Sequence, residues 1–333
     1  MKRLTCGMNG FGRFGLHFLN YYLEFFDDCN FELKYINDDI LDIHKILEII
    51  ENDSFVKIYE KFEIKIQDDS LIFNNTHKIN FSNNSGAKIS WLGDPDIFLE
   101  CSGQYTDANL AREFINGNTK KVLISATSMN ADKTLVYGFN HNEFSSKDKV
   151  VSYGSCTVNA FVALTSCLDD LFSVNSSDVN VIHNVPEYQL ANGSIETPGL
   201  PRVPIKRKSC TLSKVAPKLL DCISDNNFNV NYTLIPYTGV SIIDYRYNLS
   251  MNPDDKFWDQ IEHECNNGRL KGLYKIQEKD NGPEEHQNTN FSAVILKQNS
   301  SIKGNDVFLN AYFDNENSVN RYFDLLKYMI SRL

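Results

Sequence analysis

No stretch of the 333 residues reaches the ~18 consecutive apolar residues that a transmembrane helix needs, so no membrane association is expected. The opening residues carry Lys2 and Arg3 but no apolar block of signal-peptide length, and a cytoplasmic location is expected. Positive charge is in deficit: 33 Lys and Arg face 43 Asp and Glu, for a net charge of −10. That excludes the footprint of a general nucleic-acid binder, while leaving room for a small basic pocket that holds an anion. The eight cysteines include no CxxC pair, so neither a metal site nor a disulfide framework is expected. Internal repeats and low-complexity linkers are also missing. What is present, 42% hydrophobic and 23% charged residues, is ordinary globular composition, and the length suggests two domains.

The first motif is Gly10-Phe11-Gly12-Arg13-Phe14-Gly15, a G-x-G-x-x-G run. A short strand-forming stretch precedes it, and residues 16–26 follow with apolar side chains at helical spacing. Strand, glycine turn and helix is the context of a dinucleotide site, in which the backbone approaches a pyrophosphate seated on the helix N-terminus. The alternative is a glycine-rich turn in an unrelated α/β domain. A second strand, residues 31–36, runs into Asn37-Asp38, and Asp38 lies 23 residues beyond Gly15, close to where the motif wants a carboxylate. A carboxylate there receives ribose hydroxyls and repels the extra phosphate of NADP, so NAD is the expected cofactor.

Buried apolar strands at 97–101, 121–125 and 149–152, with a helix expected over 108–116, indicate a Rossmann-type, doubly wound parallel sheet. Residues 54–92 alternate apolar and polar side chains and read as antiparallel hairpins inserted in this half. Beyond residue 153 a helix over 156–172 is followed by alternating runs at 178–185, 232–235, 240–249, 291–296 and 307–313. These predict an α+β catalytic domain with a mostly antiparallel sheet. The expected boundaries are 1–152 for the NAD-binding domain and 153–317 for the catalytic domain, with the last helix, 318–333, returning to the first.

The sharpest signal for chemistry is Ser155-Cys156-Thr157-Val158-Asn159. Ser155 is a good N-cap, which puts Cys156 in the first helical turn, where the helix dipole favours a thiolate. His183, at the end of an apolar strand, could supply the base. A buried structural cysteine and a structural histidine are the alternatives, and sequence separation leaves open whether the two meet.

Taken together the motifs resemble glyceraldehyde-3-phosphate dehydrogenase over nearly the whole chain. The matching blocks, in order, are Asn9 to Gly15, Asn37-Asp38, Glu100-Cys101-Ser102-Gly103, Ile124-Ser125-Ala126, Tyr137 to His141, Ser155 to Asn159, Val181-Ile182-His183 and Asp314-Asn315-Glu316. The resemblance implies Cys156 as nucleophile and His183 as its catalytic partner. It implies Asn9, Gly10, Phe11, Gly12, Arg13, Phe14, Asp38, Ser102, Gly103, Ser125 and Asn315 as NAD-binding residues. Ser155, Thr157, Arg207 and Thr211 would serve substrate or phosphate. A glycolytic homotetramer acting on a small aldehyde and inorganic phosphate is the corresponding expectation.

The chain departs from that family where substrate phosphate is held. Pro186 and Tyr188 stand in place of a Thr-x-Asp, Leu234 in place of an Arg before Ile235-Pro236, and Ala160 in place of a second Cys. The Cys210-Thr211-Leu212-Ser213 segment matches the family's Thr-Gly-Ala-Ala turn only loosely. A basic cluster, Arg202, Lys206, Arg207, Lys208 and Lys214, lies in the remodelled segment and reads either as an anion site or as a solvated loop. Three functions follow: oxidation of a phosphorylated aldehyde, the same chemistry on another aldehyde, or a non-catalytic NAD-binding paralogue.

Overall fold

The computed structural model describes residues 3–184, 205–235, 237, 239–253, 256–313 and 317–333. The chain divides into two compact units, Met1–Gly154 with Val319–Leu333, and Ser155–Ser318. Among the described residues no helix is long and apolar enough to cross a membrane.

The first unit is built on β1 (Leu4–Asn9), β2 (Phe31–Asn37), β3 (Ile64–Gln67), β4 (Ser70–Phe73), β5 (His77–Ser82), β6 (Ile97–Glu100), β7 (Lys121–Ile124), β8 (Lys133–Thr134) and β9 (Val150–Ser152). They form one sheet in the order β3-β4-β5-β2-β1-β6-β7-β9-β8. The run from β5 to β8 is parallel throughout. Strands β6 and β7 are buried at every position, as strands covered on both faces must be. Chain order reverses between β1 and β6, which creates a switch point at their carboxyl ends, the place where open α/β sheets bind ligands. Helix α1 (Arg13–Glu24) follows β1 directly and buries Leu16, Phe18 and Leu19 in the core that Phe31 and Leu33 of β2 also enter.

Four further helices of this unit are α2 (Ile43–Asn52), α3 (Ile58–Lys61), α4 (Ala108–Ala111) and the last one, described below. The helix expected over 108–116 is thus only one turn, tightening into a 3₁₀ turn at Arg112–Phe114. The cause is the turn after it: Gly117 sits at φ +53°, and Asn118 donates to the Gly93 carbonyl at 2.7 Å. The hairpins expected over 54–92 exist as β3-β4-β5, but β5 pairs parallel with β2 and so extends the main sheet.

The second unit opens with α5 (Cys156–Phe172), whose bounds coincide with the expected helix. Its sheet comprises β10 (Val174–Asn184), β11 (Lys206–Arg207), β12 (Phe228–Ile235), β13 (Ser241–Leu249), β14 (Tyr274–Gln277), β15 (Ala293–Lys303) and β16 (Asp306–Phe313). The order is β11-β12-β10-β13-β16-β15-β14, with only β10–β12 and β14–β15 parallel. Tyrosine hydroxyls stitch α5 to this sheet: Tyr245 Oη donates to the Ala160 carbonyl at 2.6 Å and Tyr274 Oη to the Asn159 carbonyl at 2.9 Å. Strands of this kind place alternate side chains on one face, so Val179, Val181 and His183 of β10 share the α5 side with Tyr245. Helices α6 (Leu212–Leu219) and α7 (Phe257–Asn266) complete the unit. The final helix, α8 (Asn317–Ser331), sends Val319, Tyr322, Leu325, Leu326 and Met329 into the core of the first unit.

Candidate active site

The cofactor candidates gather at the carboxyl ends of β1, β2, β6 and β7, at the switch point. Each glycine of the motif can be read by what a side chain would meet. A Cβ on Gly10, at φ +97°, would lie 2.5 Å from the Ser102 backbone, and one on Gly15 would lie 2.5 Å from the Gly10 carbonyl oxygen. These two glycines serve close packing of turn, helix and sheet. A Cβ on Gly12 would meet no atom of the described residues within 4 Å. Gly12 occupies the cap position of α1 with no side-chain cap bond. An open cradle at an uncapped helix N-terminus is the arrangement that holds a pyrophosphate, so the residues fit a dinucleotide. Gly12→Ala is therefore expected to leave thermal stability unchanged and to weaken NAD binding at least about tenfold, whereas Gly15→Ala lowers the melting temperature. Calorimetric titration with NAD, beside a melting curve, checks both.

Asp38 is organised by backbone. Its Oδ2 accepts the Phe11 N–H at 2.7 Å, and its Oδ1 accepts those of Ile40 and Leu41 at 3.0 and 2.8 Å. The carboxylate thus ties the glycine turn to the end of β2. Asn9 bridges Glu100 and Asn37, donating to the first at 2.9 Å and accepting from the second at 2.8 Å. Glu100 is buried, and burial raises its carboxyl above the usual range; the Ser102 hydroxyl and N–H both donate to it. Arg13 turns its guanidinium to the buried Asp53 and over the Phe55 ring, and Phe14 packs edge-on against Tyr322. The side chains of Asn9, Arg13, Phe14 and Ser102 therefore engage the protein itself. A Cβ on Gly103, at φ +73°, would meet no described residue within 4 Å, and half-buried Ser125 donates its N–H to the Glu100 carbonyl. Asn315, like Pro186, Tyr188 and Arg202, lies outside the described residues.

In the second unit the thiol and the imidazole meet. Ser155 caps α5 by accepting the Val158 N–H at 3.3 Å, which leaves Cys156 as the first helical residue, half-buried. His183 ends β10 and brings Nε2 to 3.4 Å from Cys156 Sγ. Its Nδ1 lies 2.7 Å from the Asn184 carbonyl oxygen. A carbonyl only accepts, so Nδ1 carries the proton, and Nε2 of the neutral ring is the acceptor that faces the thiol. Asn184 is fixed in turn: its N–H donates to Ser241 Oγ at 3.0 Å and its amide nitrogen to the Gly239 carbonyl. The Tyr232 ring lies 5.2 Å from the imidazole and the Phe313 ring 5.9 Å. Burial, then the nearby Cys156 and Cys210, push the Tyr232 phenol up, so it stays protonated. Sequence reasoning missed Asn184, Ser241, Tyr232 and Phe313. Only the adjacency of Asn184 to His183 could have hinted at one of them.

The other seven cysteines have a different character. Burial raises every one of them, Cys29 to about 11 and Cys222 and Cys265 to about 12. They are thiols at neutral pH. Of the expected phosphate residues, Thr157 is buried, with Oγ1 3.1 Å from Ser155 Oγ and 3.6 Å from Cys210 Sγ. Thr211 is exposed at the start of α6, and Arg207 is exposed on β11. Among the described residues no cluster of three or more His, Cys, Asp or Glu could hold a metal.

Residues 4–108 match the family model "Glyceraldehyde 3-phosphate dehydrogenase, NAD binding domain". The chain is 27% identical to the glyceraldehyde-3-phosphate dehydrogenase of Atriplex nummularia, over 99% of this chain and 92% of that one. It is 27% identical to the cytosolic enzyme of Mesembryanthemum crystallinum, over 95% of each. With the cytosolic enzyme of Taxus baccata it shares 26% identity, over 99% of this chain and 98% of the relative. The first unit thus carries the NAD-binding domain that this family model describes, with NAD as its cofactor, and the chain resembles glyceraldehyde-3-phosphate dehydrogenases along nearly its whole length.

Proposed function

We propose that this dehydrogenase oxidises a small, phosphorylated aldehyde through a covalent intermediate on Cys156. The observation that carries the reading is the 3.4 Å contact between Cys156 Sγ and His183 Nε2, with Nδ1 pinned to a carbonyl. His183 takes the thiol proton, and the N-terminus of α5 favours the resulting thiolate. The thiolate attacks the aldehyde carbon, forming a C–S bond, and the new alkoxide takes the proton from Nε2 to give a thiohemiacetal. His183 then removes the hydroxyl proton as the C–H bond breaks, leaving a thioester. Bound NAD supplies the hydride acceptor. Inorganic phosphate attacks the thioester carbon, expels the thiolate and releases an acyl phosphate.

Leu234, where the resembling family has an Arg, favours a second reading in which the chemistry is kept and the aldehyde is another one. A non-catalytic paralogue is disfavoured, because a silent site has no need of a thiol against an imidazole with a fixed tautomer. The assembly we propose is a cytoplasmic homotetramer with a role in glycolysis, as the resemblance implies. The test is NADH formation with glyceraldehyde 3-phosphate, with and without inorganic phosphate. Sustained turnover that requires phosphate is expected. Bound NAD with no turnover on this or any unphosphorylated aldehyde contradicts the reading.

A further inference from the structure

Sheet register separates the basic residues of the edge strand β11 into two faces. His183 of β10 is level with Leu234 of β12, and Leu234 is level with Lys206 of β11. Residues level across neighbouring strands project to the same face. Lys206 therefore lies in the row of His183, on the face that α5 covers. Arg207 is level with Thr233 and Ile182, one residue out of step, and projects to the opposite face. Lys208 donates its N–H to the Tyr232 carbonyl at 3.1 Å, so the pairing continues by one residue and Lys208 returns to the face of Lys206. A second observation ties this segment to the reacting thiol. Two residues after Lys208, Cys210 brings Sγ to 3.6 Å from Thr157 Oγ1, beside Cys156 in α5.

We infer that Lys206, with Lys208 beside it, holds the anionic end of the aldehyde, and that Arg207 does not. The inference rests on the aldehyde-oxidising reading above. Two strand spacings, about 10 Å, separate the backbones of His183 and Lys206. A lysine side chain is long enough to cover much of that distance, and a short carbon chain ending in a phosphate can make up the rest. The ammonium stands one strand outward from Leu234, so a cation is supplied to this row although Leu234 carries none. Both lysines are exposed, and among the described residues neither has a carboxylate partner. The competing explanation is that edge-strand lysines merely block pairing with another sheet.

The test compares kcat/KM for glyceraldehyde 3-phosphate and for unphosphorylated glyceraldehyde in the full chain, in Lys206→Gln and in Arg207→Gln. Lys206→Gln is expected to lower the ratio of the two constants about 10–100-fold. Arg207→Gln, which removes the same charge from the opposite face, is expected to lower it far less. Equal ratios in all three proteins, or equal losses in both variants, overturn the inference. If the unmutated chain oxidises neither aldehyde, the parent reading fails, and the inference is judged on glycerol 3-phosphate binding by calorimetry. Binding lost in Lys206→Gln and kept in Arg207→Gln supports it; binding that is absent, or the same in both variants, overturns it.

Discussion

Cys156→Ser is expected to lower NADH formation at least about 10⁴-fold, because no other group can form the carbon–sulfur bond. A serine hydroxyl at the same place is a far weaker nucleophile at neutral pH, and His183, fixed through Nδ1, cannot alone make it reactive enough. NAD affinity and thermal stability should stay as they are, since Cys156 is half-buried and lies outside the glycine turn. Calorimetric titration of NAD beside steady-state assays separates these outcomes. The variant also isolates the thiol. Burial raises the seven remaining cysteines, so iodoacetamide at pH 7 should add one equivalent to the unmutated chain and almost none to Cys156→Ser. Rapid labelling of Cys156→Ser would show that another thiol is the reactive one.

His183→Asn should cost about 10²–10⁴ in turnover. It removes two services at once, and pH distinguishes them. The first is the imidazolium that stabilises the thiolate. Without it, the Cys156 thiolate loses its counter-charge, so alkylation at pH 7 slows and then recovers as pH rises. The second is proton transfer at the alkoxide, which high pH does not restore. The expected pattern is an alkylation rate that approaches that of the unmutated chain at high pH while NADH formation stays low. An alkylation profile identical to the unmutated chain at every pH would remove His183 from the site. Asn is the replacement of choice because it retains a polar group opposite Tyr232 and Phe313 and limits the cavity left behind.

Much of this was readable before the structure, for local reasons. The bounds of α5 follow from Ser155 as cap and from apolar residues at helical spacing, both properties of a few adjacent residues. The glycine turn and the fully buried β6 and β7 are equally local. What could not be read depends on register and on contacts far apart in sequence. A slip of one residue in β11 would exchange the faces of Lys206 and Arg207, and nothing in the sequence fixes that slip. Arg207, the residue expected to serve phosphate, and Lys206, one of the basic cluster, are told apart only by that register. The joining of β5 to β2 depends on a parallel pairing between distant segments. The commitment of Arg13 to Asp53 likewise joins two elements. The proton on Nδ1 of His183 rests on the direction of one backbone carbonyl, which no side-chain pattern encodes.

The proposed reaction requires a thioester at Cys156. The direct measurement is intact-protein mass spectrometry after brief exposure of the full chain to NAD and glyceraldehyde 3-phosphate without inorganic phosphate, followed by acid quenching and peptide mapping. One acyl adduct per chain is expected on the peptide bearing Cys156, with a matching burst of NADH and loss of the adduct when phosphate is added. NADH formed with no adduct, or an adduct on any other cysteine, would contradict it.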